Sequence, residues 1–374
     1  MSKVLLNGDQ HYKEFDSKRP QYSKWQYEMS KHCIDFQLEY IKNNNIDKVY
    51  CLGDMLDNYG TSDITLSLVD RFWGGVTSIN DKIEKVIING NHELSKTAQN
   101  RIYYWTVMKD YYKEKYNLNV YDFEEVKDTN GETDLFCGHN NIHKLQNLRK
   151  KYRYIFSHLR TSDGNAFYSD EINMTVPKAC AKKVYLSDIH SNLEYDNVVY
   201  TGASTFTHFP SYDAEEADLS SIPSFIVIDT EKGTHERVYM FNKDSKYQKK
   251  LRHIKLEDLE NLEEVIDEIR QDNLNNKAFY KLRIYGKKFM LDKIKRFLRE
   301  QKDKDNFCIT EYINLSMFES TGQKVNYNKL VKMCLNSQSL SKDMLEYILK
   351  TNEDKSLEEN IVSVYSTIES LVEK

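Results

Sequence analysis

An apolar strand runs directly into a polar turn in the segment Val86-Ile87-Ile88-Asn89-Gly90-Asn91-His92-Glu93. Two earlier segments repeat this arrangement, since Val4–Leu6 runs into Asn7-Gly8-Asp9 and Val49–Leu52 runs into Gly53-Asp54. Segments with apolar residues at helical spacing separate these strands at 24–44 and 63–80, and a third helical segment follows at 98–115. This β-α-β-α-β pattern predicts a layered α/β domain with a largely central sheet.

The composition of the chain changes along its length. Strand-like segments crowd residues 134–241, and the composition shifts near Lys249. An acidic helix at 256–270, a strand at 279–285 and a basic helix at 287–301 are predicted beyond that shift. We therefore expect three regions, at residues 1–245, 250–320 and 325–374, and the apolar spacing of the last region predicts helices.

Composition excludes several classes of protein. The chain has 374 residues, 40% of them hydrophobic and 30% charged, with a net charge of −5, which is typical of a globular protein rather than a disordered one. No apolar run approaches the roughly 20 residues that a membrane helix needs, and the first residues do not read as a secretory signal. The six cysteines form no Cys-x-x-Cys pair, which argues against a zinc ribbon and favours a reducing compartment.

Side chains that can bind a metal ion follow five of the predicted strands. Asp9 and His11 are two residues apart, so both project to the same side of an extended segment. Any one of these positions alone is more often structural than functional. Their joint occurrence at strand ends, where α/β sheets place their ligands, predicts two adjacent metal sites. The predicted ligands are Asp9, His11, Asp54, Asn91, His158, Asp188 and His190.

The predicted ligands offer oxygen and imidazole nitrogen but no thiolate. This donor set suits Mn²⁺, Fe²⁺ or Zn²⁺ better than a soft metal ion. Two such ions, about 3.5–4 Å apart, can clamp the attacking and leaving oxygens of a phosphate ester. His92, next to Asn91, would point elsewhere and reach a substrate oxygen.

The whole series of motifs resembles the signature of the calcineurin-like metallophosphoesterases. Within that superfamily it is most similar to the SbcD-type nucleases, the nuclease subunits of bacterial and phage complexes that contain an SMC-like ATPase. The segments Val199-Tyr200-Thr201-Gly202-Ala203-Ser204 and Phe225–Asp229 look like later strands of these nucleases. The resemblance covers about residues 1–240.

The resemblance implies a fold and a role for each residue. The fold would be a four-layer α/β/β/α sandwich with a smaller α+β capping domain and a helical C-terminal tail. Asp54 would bridge the two metal ions, and His92 would protonate the leaving oxygen or steady the phosphate. One metal ion would be held by Asp9, His11 and His190, and the other by Asn91, His158 and Asp188.

Two positions depart from the family pattern. The last motif is usually Gly-His-x-His, whereas this chain has Ser187-Asp188-Ile189-His190. The extra carboxylate adds negative charge and favours a hard ion, so we expect two divalent ions, with Mn²⁺ the preferred one. SbcD-type nucleases often have histidine near the position of Asp57, so their DNA-orienting role for that side chain does not carry over.

The implied activity is hydrolysis of DNA in repair or recombination. The chain would act as an exonuclease on duplex ends and an endonuclease on single strands or hairpins. Its expected partners are DNA and an SMC-like ATPase bound by residues 325–374, within a heterotetramer built on a homodimer of this chain. It would be cytoplasmic, in the host if phage-encoded. The partner would hydrolyse ATP, because this chain has no Gly-x₄-Gly-Lys-Ser/Thr loop.

Two basic clusters are candidates for phosphate contacts. The first contains Lys144, Arg149, Lys150, Lys151 and Arg153. The second contains Lys281, Arg283, Lys287, Lys288, Lys293, Lys295, Arg296 and Arg299. A further histidine motif, Gly138-His139-Asn140-Asn141-Ile142-His143, lacks the strand-to-ligand spacing of the others and is predicted to be a loop.

Two other functions compete with the nuclease. A metallophosphatase for phosphoproteins or small phosphate esters fits Gly90-Asn91-His92-Glu93, which Ser/Thr phosphatases also contain. Against it, Asn58-Tyr59 follows Asp57 where those phosphatases have Arg-Gly. A non-catalytic DNA-binding or scaffolding subunit gains some support from Asp57 and Asp188, but the complete ligand set argues against it.

Overall fold

A computed structural model of the chain describes residues 2–95, 102–128, 130–161, 172–207, 222–241, 245–254, 261–286 and 288–314. The described residues up to 241 form one compact unit, and those from 245 form a second. The predicted helical region at 325–374 lies outside the described residues. Among the helices that the structure describes, none combines the length and apolar character needed to cross a bilayer.

The first unit alternates strands and helices at its start and is rich in strands later. Its elements, in chain order, are β1 (Lys3–Asn7), α1 (Pro20–Asn43), β2 (Lys48–Cys51), α2 (Asp63–Ile79), β3 (Glu84–Ile88), α3 (Tyr104–Tyr116), β4 (Leu118–Tyr121), β5 (Phe123–Lys127), β6 (Thr133–Cys137), a 3₁₀ helix (His139–Asn147), β7 (Tyr152–His158), α4 (Thr175–Cys180), β8 (Ala181–Ser187), β9 (Glu194–Tyr195), β10 (Val198–Tyr200), β11 (Ser224–Asp229) and β12 (Thr234–Tyr239).

These strands form two sheets of six strands each. The first sheet has the order β12-β11-β1-β2-β3-β4, and the strands from β1 to β4 are parallel. The second has the order β5-β6-β7-β8-β10-β9, with β6, β7, β8 and β10 parallel. Helical crossovers connect β1 to β2 and β2 to β3, because parallel neighbours cannot be joined by a tight hairpin.

The two sheets pack face to face over an apolar core. Phe136, Phe156 and Tyr185 of the second sheet contact the layer of Tyr50 and Val86 from the first, and all are at most 2% exposed. The outer face of the first sheet is covered by α1, whose Tyr40 ring packs on Phe225. The 3₁₀ helix and α4 cover the outer face of the second sheet. The layers are therefore helix, sheet, sheet and helix, which is the expected four-layer α/β/β/α arrangement.

The second unit is smaller and has one three-stranded parallel sheet, in the order β13 (Lys249–Ile254), β14 (Phe279–Gly286) and β15 (Cys308–Asn314). Strands and helices alternate in it instead of being segregated as in the expected α+β cap, because each parallel pair needs a crossover helix. Val265, Ile266 and Leu298 from its two helices pack on Leu282 and Ile284 of the sheet. Its elements are β13 (Lys249–Ile254), α5 (Leu262–Asn276), β14 (Phe279–Gly286), α6 (Lys288–Glu300), a short 3₁₀ helix (Lys304–Asn306) and β15 (Cys308–Asn314).

Candidate metal centre

The strand ends that carry the predicted ligands meet at one edge of the sandwich. β1, β2 and β3 are adjacent parallel strands of the first sheet, and β7 and β8 are adjacent parallel strands of the second. Parallel strands present their carboxyl ends, and the turns that follow, at the same edge. All seven predicted ligand residues come together there, in two clusters that share Asp54.

The first cluster contains Asp9, His11, His190 and one oxygen of Asp54. Nε2 of His11 lies 3.0 Å from Nε2 of His190. The same His11 atom lies 3.8 Å from Oδ1 of Asp9 and 3.7 Å from Oδ2 of Asp54. Oδ1 of Asp9 lies 3.7 Å from Nε2 of His190. Four potential ligand atoms therefore converge on one small, buried space.

The second cluster contains Asn91, His158, Asp188 and the same oxygen of Asp54. Nε2 of His158 lies 3.1 Å from Oδ1 of Asn91 and 3.3 Å from Oδ2 of Asp54. It lies 3.7 Å from Oδ1 of Asp188. The His158 side chain is completely buried, and Asp188 is 9% exposed. The position of Asp54 between the clusters suits a carboxylate that bridges two ions.

These residues fit a pair of divalent cations. Oδ2 of Asp54 is buried, and it makes no well-directed hydrogen bond among the described residues although two imidazole nitrogens lie within 3.7 Å of it. Leaving a buried carboxylate oxygen unpaired is unfavourable unless a cation satisfies it. The donor set contains oxygen and imidazole nitrogen without sulfur, which is the chemistry that Mn²⁺, Fe²⁺ and Zn²⁺ accept.

The second nitrogen of each histidine in the clusters is held by an acceptor outside them. Nδ1 of His158 lies 2.7 Å from the Leu52 carbonyl oxygen, and Nδ1 of His190 lies 3.0 Å from Oγ1 of Thr207. Nδ1 of His11 lies 3.2 Å from Oδ1 of Asp57. Partners of this kind fix the ring orientation and direct Nε2 toward a metal ion. Sequence reasoning missed Thr207, because no motif surrounds it.

The charges within the site determine where protons reside. Burial by itself would lower the pKa of His11, but hydrogen bonds to Asp57 and Asp9 outweigh it and raise that pKa to about 10. The pKa of His158 also rises to about 10 despite burial, because the charge of Asp54 stabilises its imidazolium. Burial and the neighbouring His11 lower the pKa of His190 to about 3. In the absence of metal, His11 is thus the proton donor of the His11–His190 pair.

Four of the ligand residues have a strained backbone. Asp9, His11, Asp54 and Asp188 have φ angles of 49°, 45°, 50° and 87°, in the left-handed region that residues with a Cβ atom disfavour. Backbone hydrogen bonds from Asp9 N to the Gly53 carbonyl and from His11 N to the Asp54 carbonyl tie two of these turns together. Such conformations persist where the surrounding structure enforces them, and they concentrate at functional sites.

His92 lies beside the clusters. Its backbone N–H donates to Oδ1 of Asp54 at 2.9 Å, and its Nδ1 lies 2.9 Å from the Asp57 carbonyl oxygen. Its ring centroid is 4.6 Å from that of His11, and one of its nitrogens lies within 4.8 Å of ligand atoms of His11 and Asp54. This position next to the clusters is suitable for a proton donor to a bound substrate.

Glu93 supports the turns around the clusters, a part that sequence reasoning did not identify. It is fully buried, and its carboxylate accepts hydrogen bonds from the backbone N–H groups of Gly90, Asp54 and Leu56 at 2.8, 3.2 and 3.2 Å. It thereby joins the turn after β3 to the turn after β2. Burial, with the nearby charge of Asp54, raises its pKa to about 7. Its place directly after His92 was the available signal.

The histidine motif at 138–143 is not a loop, as predicted, but begins a 3₁₀ helix (His139–Asn147). The His139 ring packs at 6.3 Å, edge to face, against the ring of His158. Nδ1 of His139 lies 3.0 Å from the hydroxyl of Tyr103. The motif directly follows β6, and β6 lies beside β7 in the second sheet. His139 therefore reaches the same sheet edge as the predicted ligands, although the sequence analysis found no strand-to-ligand spacing in this motif.

The two basic clusters are only partly available for phosphate contacts. Arg153 is 7% exposed and forms ion pairs with Asp128 and Asp134. Arg283 is 1% exposed, and its Nε donates to Oε2 of Glu311 at 2.9 Å. Both residues lie on strands whose neighbours supply a carboxylate, which the sequence pattern did not reveal. Among the α6 residues whose exposure the structure describes, the exposed basic ones are Lys293, Arg296 and Arg299.

Comparison with known proteins finds one family model that matches part of the first unit. Residues 2–179, just under half of the chain, match the family model described as calcineurin-like phosphoesterase. No curated protein sequence is significantly similar to the chain.

Several solved structures match the chain at low sequence identity. TT1561 of Thermus thermophilus is 9% identical, with a TM-score of 0.38, over 64% of this chain and 99% of that one. GAP50, the anchor in the inner membrane complex of Plasmodium, is 10% identical, with a TM-score of 0.36, over 64% and 89%. A dimetal phosphatase from Danio rerio is 11% identical, with a TM-score of 0.35, over 60% and 91%. Residues 2–179 are thus similar to the calcineurin-like phosphoesterases.

Proposed function

We propose that this chain is a two-metal-dependent DNA phosphodiesterase, the nuclease subunit of a recombination or repair complex of the SbcCD type. It would degrade duplex ends as an exonuclease and cut single strands or hairpins as an endonuclease. The observation that carries the metal-dependent chemistry is the pair of clusters sharing Oδ2 of Asp54, with His92 beside them. The choice of DNA rests on the resemblance of the motifs to SbcD-type nucleases.

Each residue of the centre has a distinct part in this proposal. Two divalent ions, when bound, would supply positive charge that binds the phosphate and activates water. Asp54 would hold the two ion positions at a fixed separation. His92 would donate a proton to the leaving oxygen, with its Nδ1 fixed by the Asp57 carbonyl. The carboxylate at Asp188 favours a hard ion, so we propose Mn²⁺ as the working metal.

A second candidate is a phosphatase for phosphoproteins or small phosphate esters. The burial of Arg153 and Arg283 removes two of the cations expected to contact a DNA backbone. A compact phosphate ester needs only the metal centre and His92, and so requires no extended basic surface. This observation keeps the phosphatase as the alternative to be tested directly.

The deciding experiment compares two substrates. The full chain, freed of metal and reloaded with Mn²⁺, would be assayed on end-labelled linear duplex DNA and on an aryl phosphate. We expect DNA cleavage, and we expect Asp54→Asn to abolish it because both ion positions lose their shared ligand. Turnover of the aryl phosphate without DNA cleavage, even with the ATPase partner added, would replace the nuclease with the phosphatase.

We also propose that residues 325–374 bind an SMC-like ATPase and that two copies of this chain assemble with two copies of it. The proposal rests on the apolar spacing in that region, with Leu345, Ile348 and Leu349 among its positions. Removing residues 325–374 should leave metal binding intact and prevent capture of the ATPase. Capture of the ATPase by the truncated chain would overturn this assignment.

A further inference from the structure

The carboxylate of Asp188 is divided between two partners. Its Oδ1 lies 3.7 Å from Nε2 of His158, on the side of the second cluster. Its Oδ2 accepts a hydrogen bond from Nε of Arg160 at 2.9 Å. The Asp188 side chain is 9% exposed and the Arg160 side chain 32%. Oδ1 thus faces the second cluster, while Oδ2 is hydrogen-bonded to Arg160.

This arrangement changes the charge of the second cluster. Asp54 and Asp188 are both carboxylates, whereas Asn91 is neutral and His158 must be neutral to bind a metal ion. A buried, unpaired carboxylate is unfavourable when no cation compensates it. Arg160 is always protonated and supplies a permanent positive charge at hydrogen-bonding distance. It also restrains Asp188 so that a single oxygen is presented to the cluster.

We propose that Arg160 is a positioning residue for the second metal site. It orients Asp188 as a ligand that offers one oxygen, and it offsets the extra negative charge which that carboxylate brings. This inference rests on the proposed two-metal function, and it adds a residue that no sequence motif marks. Asp188 and Arg160 carry opposite charges, so the effect of each side chain on metal binding depends on the presence of the other.

If Arg160 acts through its charge, its effect on metal binding should depend on the residue at position 188, whereas a purely structural role predicts no such dependence. If Asp188 is replaced by a neutral imidazole, the charge of Arg160 no longer offsets a carboxylate at position 188, and it then opposes the incoming cation. Removing Arg160 should therefore weaken metal binding when Asp188 is present and strengthen it when histidine occupies position 188. A residue that only supports the local fold would weaken binding in both cases.

The test is calorimetric titration of the metal-free full chain with MnCl₂, which needs no catalytic turnover. Wild type should bind two ions. Arg160→Ala should weaken one of them by about 10–100-fold, the usual effect of losing a residue that orients a ligand, and leave the other unchanged. In the Asp188→His background, adding Arg160→Ala should raise the Mn²⁺ affinity of the weaker site relative to Asp188→His alone. Weakening in both backgrounds, or no change in wild type, would overturn the proposal.

A second pair of variants keeps the proposal testable if Asp188→His binds too weakly to measure. Arg160→Lys retains the charge, and Arg160→Gln retains a hydrogen-bond donor without it. We expect lysine to preserve most of the metal affinity and glutamine to lose it. Equal affinity for the glutamine variant and wild type would show that the charge is not needed. Failure of wild type to bind any metal ion would instead contradict the proposed function itself.

Discussion

Nδ1 of His11 lies 3.2 Å from Oδ1 of Asp57, while the carbonyl oxygen of the same Asp57 lies 2.9 Å from Nδ1 of His92. One residue thus contacts a predicted metal-ligand histidine through its side chain and the proposed proton donor through its backbone carbonyl. Burial opposes ionisation of Asp57, but the hydrogen bond to His11 and the charge of Lys13 lower its pKa to about 2. The Asp57 carboxylate is therefore ionised at neutral pH.

The two contacts of Asp57 can be separated by mutation. Asp57→Ala removes the carboxylate but keeps the carbonyl, so we expect metal affinity at the first site to fall by about 10–100-fold. Asp57→Asn should lose less, because its amide oxygen still accepts a hydrogen bond from His11. Asp35→Asn, at an exposed ion pair with Arg71, is the matched control and should bind metal normally. Unchanged calorimetric affinity for Asp57→Ala would contradict this role.

Loss of His92 should separate binding from chemistry. His92→Ala removes the proton donor but none of the seven ligands, so we expect both ions to bind while turnover falls by about 10²–10⁴-fold. His143→Ala changes an exposed histidine of the 3₁₀ helix and should retain full activity. Metal stoichiometry and turnover would be measured on the same samples. A His92→Ala protein that loses an ion would identify His92 as a ligand instead.

Metal binding should release protons. The pKa values of His11 and His158 are raised to about 10, so both carry a proton at pH 7 in the metal-free protein, and a metal ion can bind only the neutral rings. Calorimetry in buffers of different ionisation enthalpy should show release of about two protons for two bound ions. An observed enthalpy that is identical in every buffer would contradict this expectation.

The same raised pKa values affect stability without metal. A histidine whose pKa is raised on folding adds stability that is fully present below its unfolded pKa, near 6.5. That stability is lost as pH rises toward 10. The melting temperature of the metal-free protein should therefore fall over this range. Saturating Mn²⁺ should restore it, because binding to the folded state raises its stability.

Glu93 should be important for stability as well as for the site. Glu93→Ala leaves the N–H groups of Gly90, Asp54 and Leu56 without their acceptor, so we expect the free energy of unfolding to fall by about 3–5 kcal/mol in urea titration. Its pKa of about 7 lies above its usual value near 4.5, so its contribution weakens as pH rises between these values. Glu93→Gln should remove that pH dependence. A pH dependence equal to that of wild type would contradict this.

Periodicity predicted an α/β domain with a central sheet, because α1 and α2 each bury one stripe of apolar residues, whereas the second sheet of the sandwich was implied only by the resemblance. The predicted helix at 63–80 corresponds to α2, at Asp63–Ile79, whose buried Leu68, Phe72 and Val76 recur at helical spacing. The helix predicted from Ala98 begins instead at Tyr104 within the described residues, since aromatic residues before it continue the apolar spacing. Strands β4, β5, β13 and β15 were missed because their alternation is weak or interrupted by charge.

The sequence predicted those site residues that lie at the ends of strands or in the turns directly after them. The residues of the two clusters all occupy turns or strand ends with a visible motif, and the structure brings them together. The partners that orient them were not predictable in the same way. Thr207 and Arg160 reach His190 and Asp188 only through the three-dimensional arrangement of strands. The burial of Arg283 likewise depends on a neighbouring strand that its own sequence does not identify.

The left-handed backbone at Asp9, His11, Asp54 and Asp188 sets a limit on how this protein can evolve or be engineered. At about 1 kcal/mol each, these positions together cost roughly 4 kcal/mol, a large part of the 5–15 kcal/mol by which domains are usually stable. Replacement by glycine would relieve the backbone strain but remove the predicted metal-binding side chain, so folding stability and metal binding compete at these four positions. Selection for thermal resistance alone would drive the chain toward an inert scaffold.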